Sequence, residues 1–163
     1  MTNALSELYK HNLWANLRLL DVCAPRDEPR LDATVPGTRG SIRDTFLHLV
    51  AAEGRYVALL SGTQPDPSLN ERAGFPGWEA LRERARQSGE ALIAIAEDFD
   101  AARVLRDTRG GEAYAIPAVV PMLQAINHGT EHRTHIATIL TQQGVEPPTL
   151  DGWQYGEERL GAQ

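Results

Sequence analysis

Lysine is almost missing from this chain. Lys10 is the only one among 16 Lys and Arg residues, which face 22 Asp and Glu for a formal net charge of −6. Phosphate backbones are bound by clustered cations, and the strength of binding tracks how many phosphates are neutralised. The arginines here are scattered, apart from Arg82, Arg84 and Arg86, a run that fits the solvated face of a helix. Nucleic acid is therefore not an expected partner. Cysteine is scarce as well: a lone Cys23 cannot close an internal disulfide and fits a reducing compartment. No apolar run approaches the roughly 18 residues that cross a bilayer, so no membrane contact is expected. The amphipathic N-terminus carries no signal-peptide pattern, and a cytoplasmic location is the expectation. Aromatics make up only 6%, yet hydrophobic residues reach 42%, and 163 residues suffice for one domain, 1–163, with a sizeable core.

What the chain does have is a local excess of histidine. Three of its five fall within nine residues, Asn127-His128-Gly129-Thr130-Glu131-His132-Arg133-Thr134-His135. The flanks on both sides read as one helix over residues 119–143, ending at Gly144, with Pro121 tolerated in the first turn. At about 100° per residue, His128 and His132 lie one turn apart on one face, and His135 continues the stripe. Two imidazoles at this spacing can offer nitrogens to one divalent ion. A polar helix face with incidental histidines has the same spacing, so the pair by itself leaves both readings open. No Glu follows His128, which excludes the His-Glu-x-x-His pattern of zinc proteases.

The rest of the chain reads as helices and connectors. Residues 2–23 form a first helix with Leu5, Leu8, Tyr9, Leu19, Leu20 and Cys23 on its apolar stripe. Asn12 and Asn16 fall in the middle of that stripe. They are either amides satisfied within the core or groups facing a polar pocket inside the bundle. Trp14 points away, to solvent or to another subunit. A linker over residues 24–40 precedes Ser41, the N-cap of a second helix over 41–61, with Asp44 standing in for the Glu of a capping box. Ile42, Phe46, Leu49, Val50, Tyr56, Val57 and Leu60 form its arc. Glu53 falls inside that arc, where a carboxylate needs a partner, and His48 lies at its edge. A loop over 62–77 leads to a third helix over 78–99, interrupted by Gly89. Residues 101–117 resemble a small hairpin or extended excursion, and the histidine-bearing helix is the fourth. The tail, 147–163, is expected to be irregular. The fold class is thus all-α, a four-helix bundle with long connections and a short hairpin before the last helix. Bundles build metal sites from facing helices, and His48 is the only histidine on the second.

Three stretches carry a family resemblance. They are Trp14-Ala15-Asn16-x-Arg18-Leu19-Leu20, residues 40–56 from Gly40-Ser41-Ile42-Arg43-Asp44 through His48 and Glu53 to Tyr56, and Asn127-His128-Gly129-x-x-His132-Arg133. Together with Asp151-Gly152-Trp153-x-Tyr155 they resemble the DinB-like family. The resemblance implies a bundle in which His48, His128 and His132 hold one divalent metal (zinc, nickel, iron or manganese), commonly within a homodimer. Asn12, Asn16 and Glu53 become candidate groups supporting a bound cofactor. His135 stands where the family often has Gln, and could be a supporting partner, a fourth ligand or a surface residue. Relatives in the wider superfamily include bacillithiol S-transferases and a mycothiol-dependent maleylpyruvate isomerase. The implied function is a metal-dependent thiol S-transferase or hydrolase acting on a small molecule, with a low-molecular-weight thiol as partner. The alternative is a non-catalytic dimeric metal-binding bundle of stress-related role, its site closed by a fourth protein ligand.

Overall fold

Four helices of 20 residues or more carry the structure: α1 (Ala4–Cys23), α3 (Ile42–Ser61), α4 (Trp78–Glu97) and α5 (Val119–Gln142). Two short ones, α2 (Glu28–Leu31) and α6 (Gly152–Tyr155), lie in the connections, and β1 (Val104–Arg109) pairs antiparallel with β2 (Glu112–Pro117). The computed structural model describes residues 3–26, 28–67, 70–109 and 111–161. Thr2 of the expected first helix, Gly110 of the hairpin turn, and Ala162 and Gln163 of the tail lie outside the described residues.

Local chemistry sets the helix ends. Asn3 caps α1, its Oδ1 accepting from the Leu5 N–H at 2.9 Å. Ser41 caps α3: its Oγ accepts from the Asp44 N–H at 3.1 Å and donates to Asp44 Oδ2 at 2.8 Å. Gly62 ends α3 at φ 70°, a left-handed position that glycine takes without cost. The bundle departs from the sequence expectation in its details. α4 ends at Glu97 rather than 99. Leu8 is 52% exposed, because α1 turns that flank of its stripe outward. The 24–40 linker contains α2, whose Leu31 is buried in the core. The tail is helical rather than irregular, with α6 running into a π-type turn over Gly156–Leu160. That tail folds back on α1. Tyr155 Oη donates to Glu7 at 3.0 Å, and Trp14 Nε1 donates to Glu158 at 3.2 Å. Trp14 is therefore covered by its own chain. No helix among the described residues is long and apolar enough to cross a membrane.

The core is layered. One apolar cluster joins Leu19, Leu20, Phe46, Leu49, Leu81, Ile136 and Ile139; a second, at the other end, joins Tyr9, Leu60, Leu92, Met122 and Ala125. α1 and α5 reach the second cluster first along the chain, whereas α3 and α4 reach the first cluster first. The topology is therefore up-down-down-up, with α1 packed on α4 and α5, and α3 packed on the same two. Between the apolar layers, each long helix contributes a polar residue: Asn12 and Asn16 from α1, Glu53 from α3, Ser88 from α4 and Arg133 from α5. All five are buried.

Candidate metal centre

His128 and His132 stand one turn apart on α5, as their spacing dictates, and face α3. His48, from the first half of α3, meets them there. His128 Nε2 lies 3.1 Å from His48 Nε2 and 3.0 Å from His132 Nε2. The ring centroids are 4.2 Å apart for the α5 pair and 5.0 Å from His48 to each. Among the described residues, His48, His128 and His132 form the group whose ligand atoms converge closely enough to hold one ion.

Two of the three donors are in the right ionisation state. Burial, reinforced by the neighbouring imidazoles, pushes His128 down to about 4 and His132 to about 3. Both rings are neutral at pH 7, with lone pairs available, and imidazole nitrogen suits zinc, nickel and iron. Three imidazoles aimed at one point cannot satisfy one another with hydrogen bonds alone, so the residues fit a cation. The groups behind the rings fit it too. Glu71 Oε2 sits 2.8 Å from His48 Nδ1 and, accepting there, leaves Nε2 as the lone pair. Burial pushes the Glu71 carboxyl up, but the bonds from His48 and Arg55 outweigh that and hold it below its ordinary range. His135 Nδ1 lies 3.3 Å from Nδ1 of His132, the nitrogen on the side away from the convergence point. His135 is thus placed behind a ring rather than among the three converging nitrogens.

Glu71 could not be found from periodicity. It comes from a 3-10 turn, Glu71–Ala73, inside the proline-rich 62–77 connection, and only the path of that connection brings it to His48. A carboxylate holding a ligand's far nitrogen typically changes metal affinity about 10–100-fold when removed. Glu71→Ala is expected to weaken zinc binding by about that factor while leaving the helix content unchanged; competition with a chromogenic chelator measures it, and an unaltered affinity would rule the role out.

Asn12, Asn16 and Glu53, expected from the sequence as groups supporting a cofactor, form a hydrogen-bonded cluster in the bundle interior. They meet one another instead of the imidazoles. Asn12 Nδ2 donates to Glu53 Oε1 at 2.7 Å, Asn16 Nδ2 donates to the same oxygen at 2.9 Å, and Ser88 Oγ donates to Oε2 at 3.1 Å. Arg133 Nη1 donates to Oδ1 of both asparagines, 2.7 Å each. The amides thereby relay a buried cation to a buried carboxylate. Complete burial still pushes the Glu53 carboxyl up, against the donors and the Arg133 charge. Gly129, between the two α5 ligands, makes room for this relay: a Cβ there would lie 2.7 Å from Asn12 Oδ1 and 2.9 Å from Arg133 Nη1. The three residues look into the bundle centre and fasten α5, with its histidines, against α1 and α3.

A cleft of about 530 Å³ opens between the hairpin and the helices, lined by Tyr56, Leu59, Ala113, Tyr114, Ile116, Val120 and Gln124 among others, with none of the three imidazoles in its wall. Tyr56 connects the two places, its ring edge-on to His128 with centroids 6.0 Å apart.

Comparison with known proteins agrees with this architecture. No curated protein matches the sequence. The fold is similar to the crystal structure of a DinB-like protein from Bacillus cereus ATCC 10987, with a TM-score of 0.67 at 15% identity over 89% of this chain and 94% of that one. The sequence profile of the DinB family matches residues 1–160. With nearly its whole length matched, a helical bundle of the same kind and a histidine triad compatible with metal binding, the chain belongs to the DinB family.

Proposed function

We propose that the protein binds a divalent metal through His48, His128 and His132 and uses it to transfer a small thiol, or water, onto an electrophile. The candidate ions are zinc, nickel, iron and manganese, of which the first three are the better matched to imidazole nitrogen. Bound there, such an ion lowers the pKa of a thiol or water and presents it as a nucleophile near neutral pH. The chain's own part is positional. Glu71 and His135 hold two of the rings by their far nitrogens. The relay from Arg133 to Glu53 holds the helix that carries the α5 pair. The cleft beside Tyr56 offers apolar room for an electrophile. In the transfer a sulfur–carbon bond forms, the leaving group departs with its electron pair, and the thiol proton passes to solvent.

The observation that carries this reading over a closed, non-catalytic site is the place of His135. A closed site needs a fourth protein ligand, and the residue best spaced to provide one is turned to the back of His132. The test compares metal-loaded and metal-free protein in thiol consumption with an arylating electrophile. The loaded protein is expected to consume thiol well above background and the metal-free protein at background. Equal rates would favour the non-catalytic alternative.

A further inference from the structure

The two helix faces that carry the imidazoles continue beyond them. α3 runs from the first apolar cluster toward the second, and α5 runs the opposite way. Residues after His48 and residues before His128 therefore lie at the same end of the bundle, the end that the hairpin covers. Leu59 follows His48 by eleven positions, which at 100° per residue returns it to within about 20° of the same stripe. Gln124 and Pro121 precede His128 by four and seven positions and keep to its stripe. All three line the cleft of about 530 Å³. The cleft is thus the groove between α3 and α5 continued from the triad, and it begins one helical turn before His128. Tyr56 spans the interval, since it lines the cleft and its ring meets His128 edge-on.

The hairpin roofs this groove for a local reason. Side chains alternate along a strand, so Tyr114 and Ile116 share one face of β2, and Leu105 stands opposite Ile116 on β1. Leu105 is buried and Ile116 packs beside it in the second apolar cluster, which pins the base of the hairpin to the bundle. The Ala118 N–H donates to the Arg103 carbonyl at 2.8 Å and closes that base. Tyr114, two residues nearer the turn, is carried out over the groove and lines it. What stays open is mostly apolar. Val120 keeps 47% exposure in the first turn of α5, in one wall with Leu59, Ile116 and Pro121. Glu112, near the hairpin turn, is the charged side chain of the described wall. Tyr56 and Gln124, the wall residues next to His128, carry a hydroxyl and an amide that bond no other described residue. A concave, mostly apolar cleft with a few polar groups at one end is the usual form of a small-molecule site.

We propose that this cleft seats the body of the electrophile that reacts at the metal centre, and that the electrophile is an uncharged aromatic compound. A flat ring buries the aliphatic wall of Leu59, Ile116 and Val120, and tyrosine rings receive it edge-on or offset. A charged group would lose its water against those side chains. The reacting carbon lies at the Tyr56 end, toward the triad. There the sulfur–carbon bond forms, the bond to the leaving group breaks with its electron pair on the leaving group, and the thiol proton passes to solvent. This deepens the metal-dependent transfer described above and rests on it.

The test follows the fluorine NMR signal of three probes alike in shape and different in charge: 4-(trifluoromethyl)benzamide, 4-(trifluoromethyl)benzoate and 4-(trifluoromethyl)benzylammonium. Each is titrated with the full chain, zinc-loaded and metal-free. The neutral amide is expected to bind saturably in both forms. In the metal-free form, where the carboxylate has no ion to ligate, the amide is expected to bind roughly tenfold tighter than either charged probe. Val120→Lys changes an exposed position and leaves the core untouched. It is expected to weaken the amide and strengthen the benzoate at unchanged helix content. A further measurement needs no variant. With cobalt(II) in place of zinc, the fluorine relaxation of the bound amide is expected to quicken several-fold, because the paramagnetic ion lies at the end of the same groove. No saturable binding of the amide overturns the proposal, including the case in which a second copy of the chain covers the cleft. Equal binding of all three probes, indifference to Val120→Lys, or relaxation unchanged by cobalt overturns it too. Each of these leaves the metal centre standing. Failure of the wild type to take up zinc or cobalt overturns the metal reading and this one with it.

Discussion

Arg133→Leu is expected to lower the unfolding free energy by about 3–5 kcal/mol, the usual cost of removing one partner from a buried charge pair. Arg133 is 5% exposed and Glu53 0%. Without the guanidinium, two amide oxygens lose their donor and the carboxylate keeps its burial without a balancing cation. Leucine matches part of the volume, so the loss reports the stranded polar groups rather than a cavity. The companion variant, Glu53→Leu/Arg133→Leu, is expected to be more stable than Arg133→Leu alone, since it removes the stranded charge. Urea unfolding at pH 7 measures both. A single-variant loss below about 1 kcal/mol, the size of an average substitution, would mean that burial keeps the Glu53 carboxyl protonated or that water reaches it, so that no charge is stranded.

His132→Ala is expected to abolish stoichiometric binding of zinc or nickel, because a two-imidazole remnant lacks the ligand count of known sites. Elemental analysis of the purified variant decides this, and an unchanged metal load would remove the centre from the fold. A metal-free readout accompanies it. His128 and His132 titrate near 4 and near 3 in the folded chain against an ordinary value of 6.5, chiefly because burial disfavours the charged ring. Between those limits the unfolded chain binds protons that the folded chain refuses. Stability therefore rises with pH across that window and falls as the metal-free protein is acidified below about 6.5. Deleting His132 takes away one of these groups, so the acid slope of the urea midpoint should become shallower. An identical slope would show that the ring is solvated and titrates normally.

The four long helices were legible because each buries one stripe against neighbours, and a 3.6-residue period leaves its mark on the order of residues. The spacing of His128 and His132 was legible for the same reason, since neighbours one turn apart need only the helix that carries both. The family resemblance named His48 as their companion. The asparagines were recognised as unusual on an apolar stripe, and Glu53 likewise, but a wheel says only that a side chain faces inward. It gives no hint of what waits there. The relay through Arg133 needs residues from all four long helices, up to 121 positions apart in sequence. Leu8 shows the same limit from the other side: its place on the stripe was right and its exposure was wrong, because nothing among the described residues covers that flank.

By itself, then, the sequence determined the helical class, the long crossings, the hairpin excursion and the pair of imidazoles on α5, all of which depend on local periodicity and turn chemistry. Only tertiary structure decided that His48 shares a point with them, that Glu71 and His135 stand behind the rings, and that Asn12, Asn16 and Glu53 join Arg133 in one polar relay. The physical reason is that hydrogen bonds and charge contacts act over about 3 Å in space. Residues from separate elements come within that distance only when packing brings their helices and connections together.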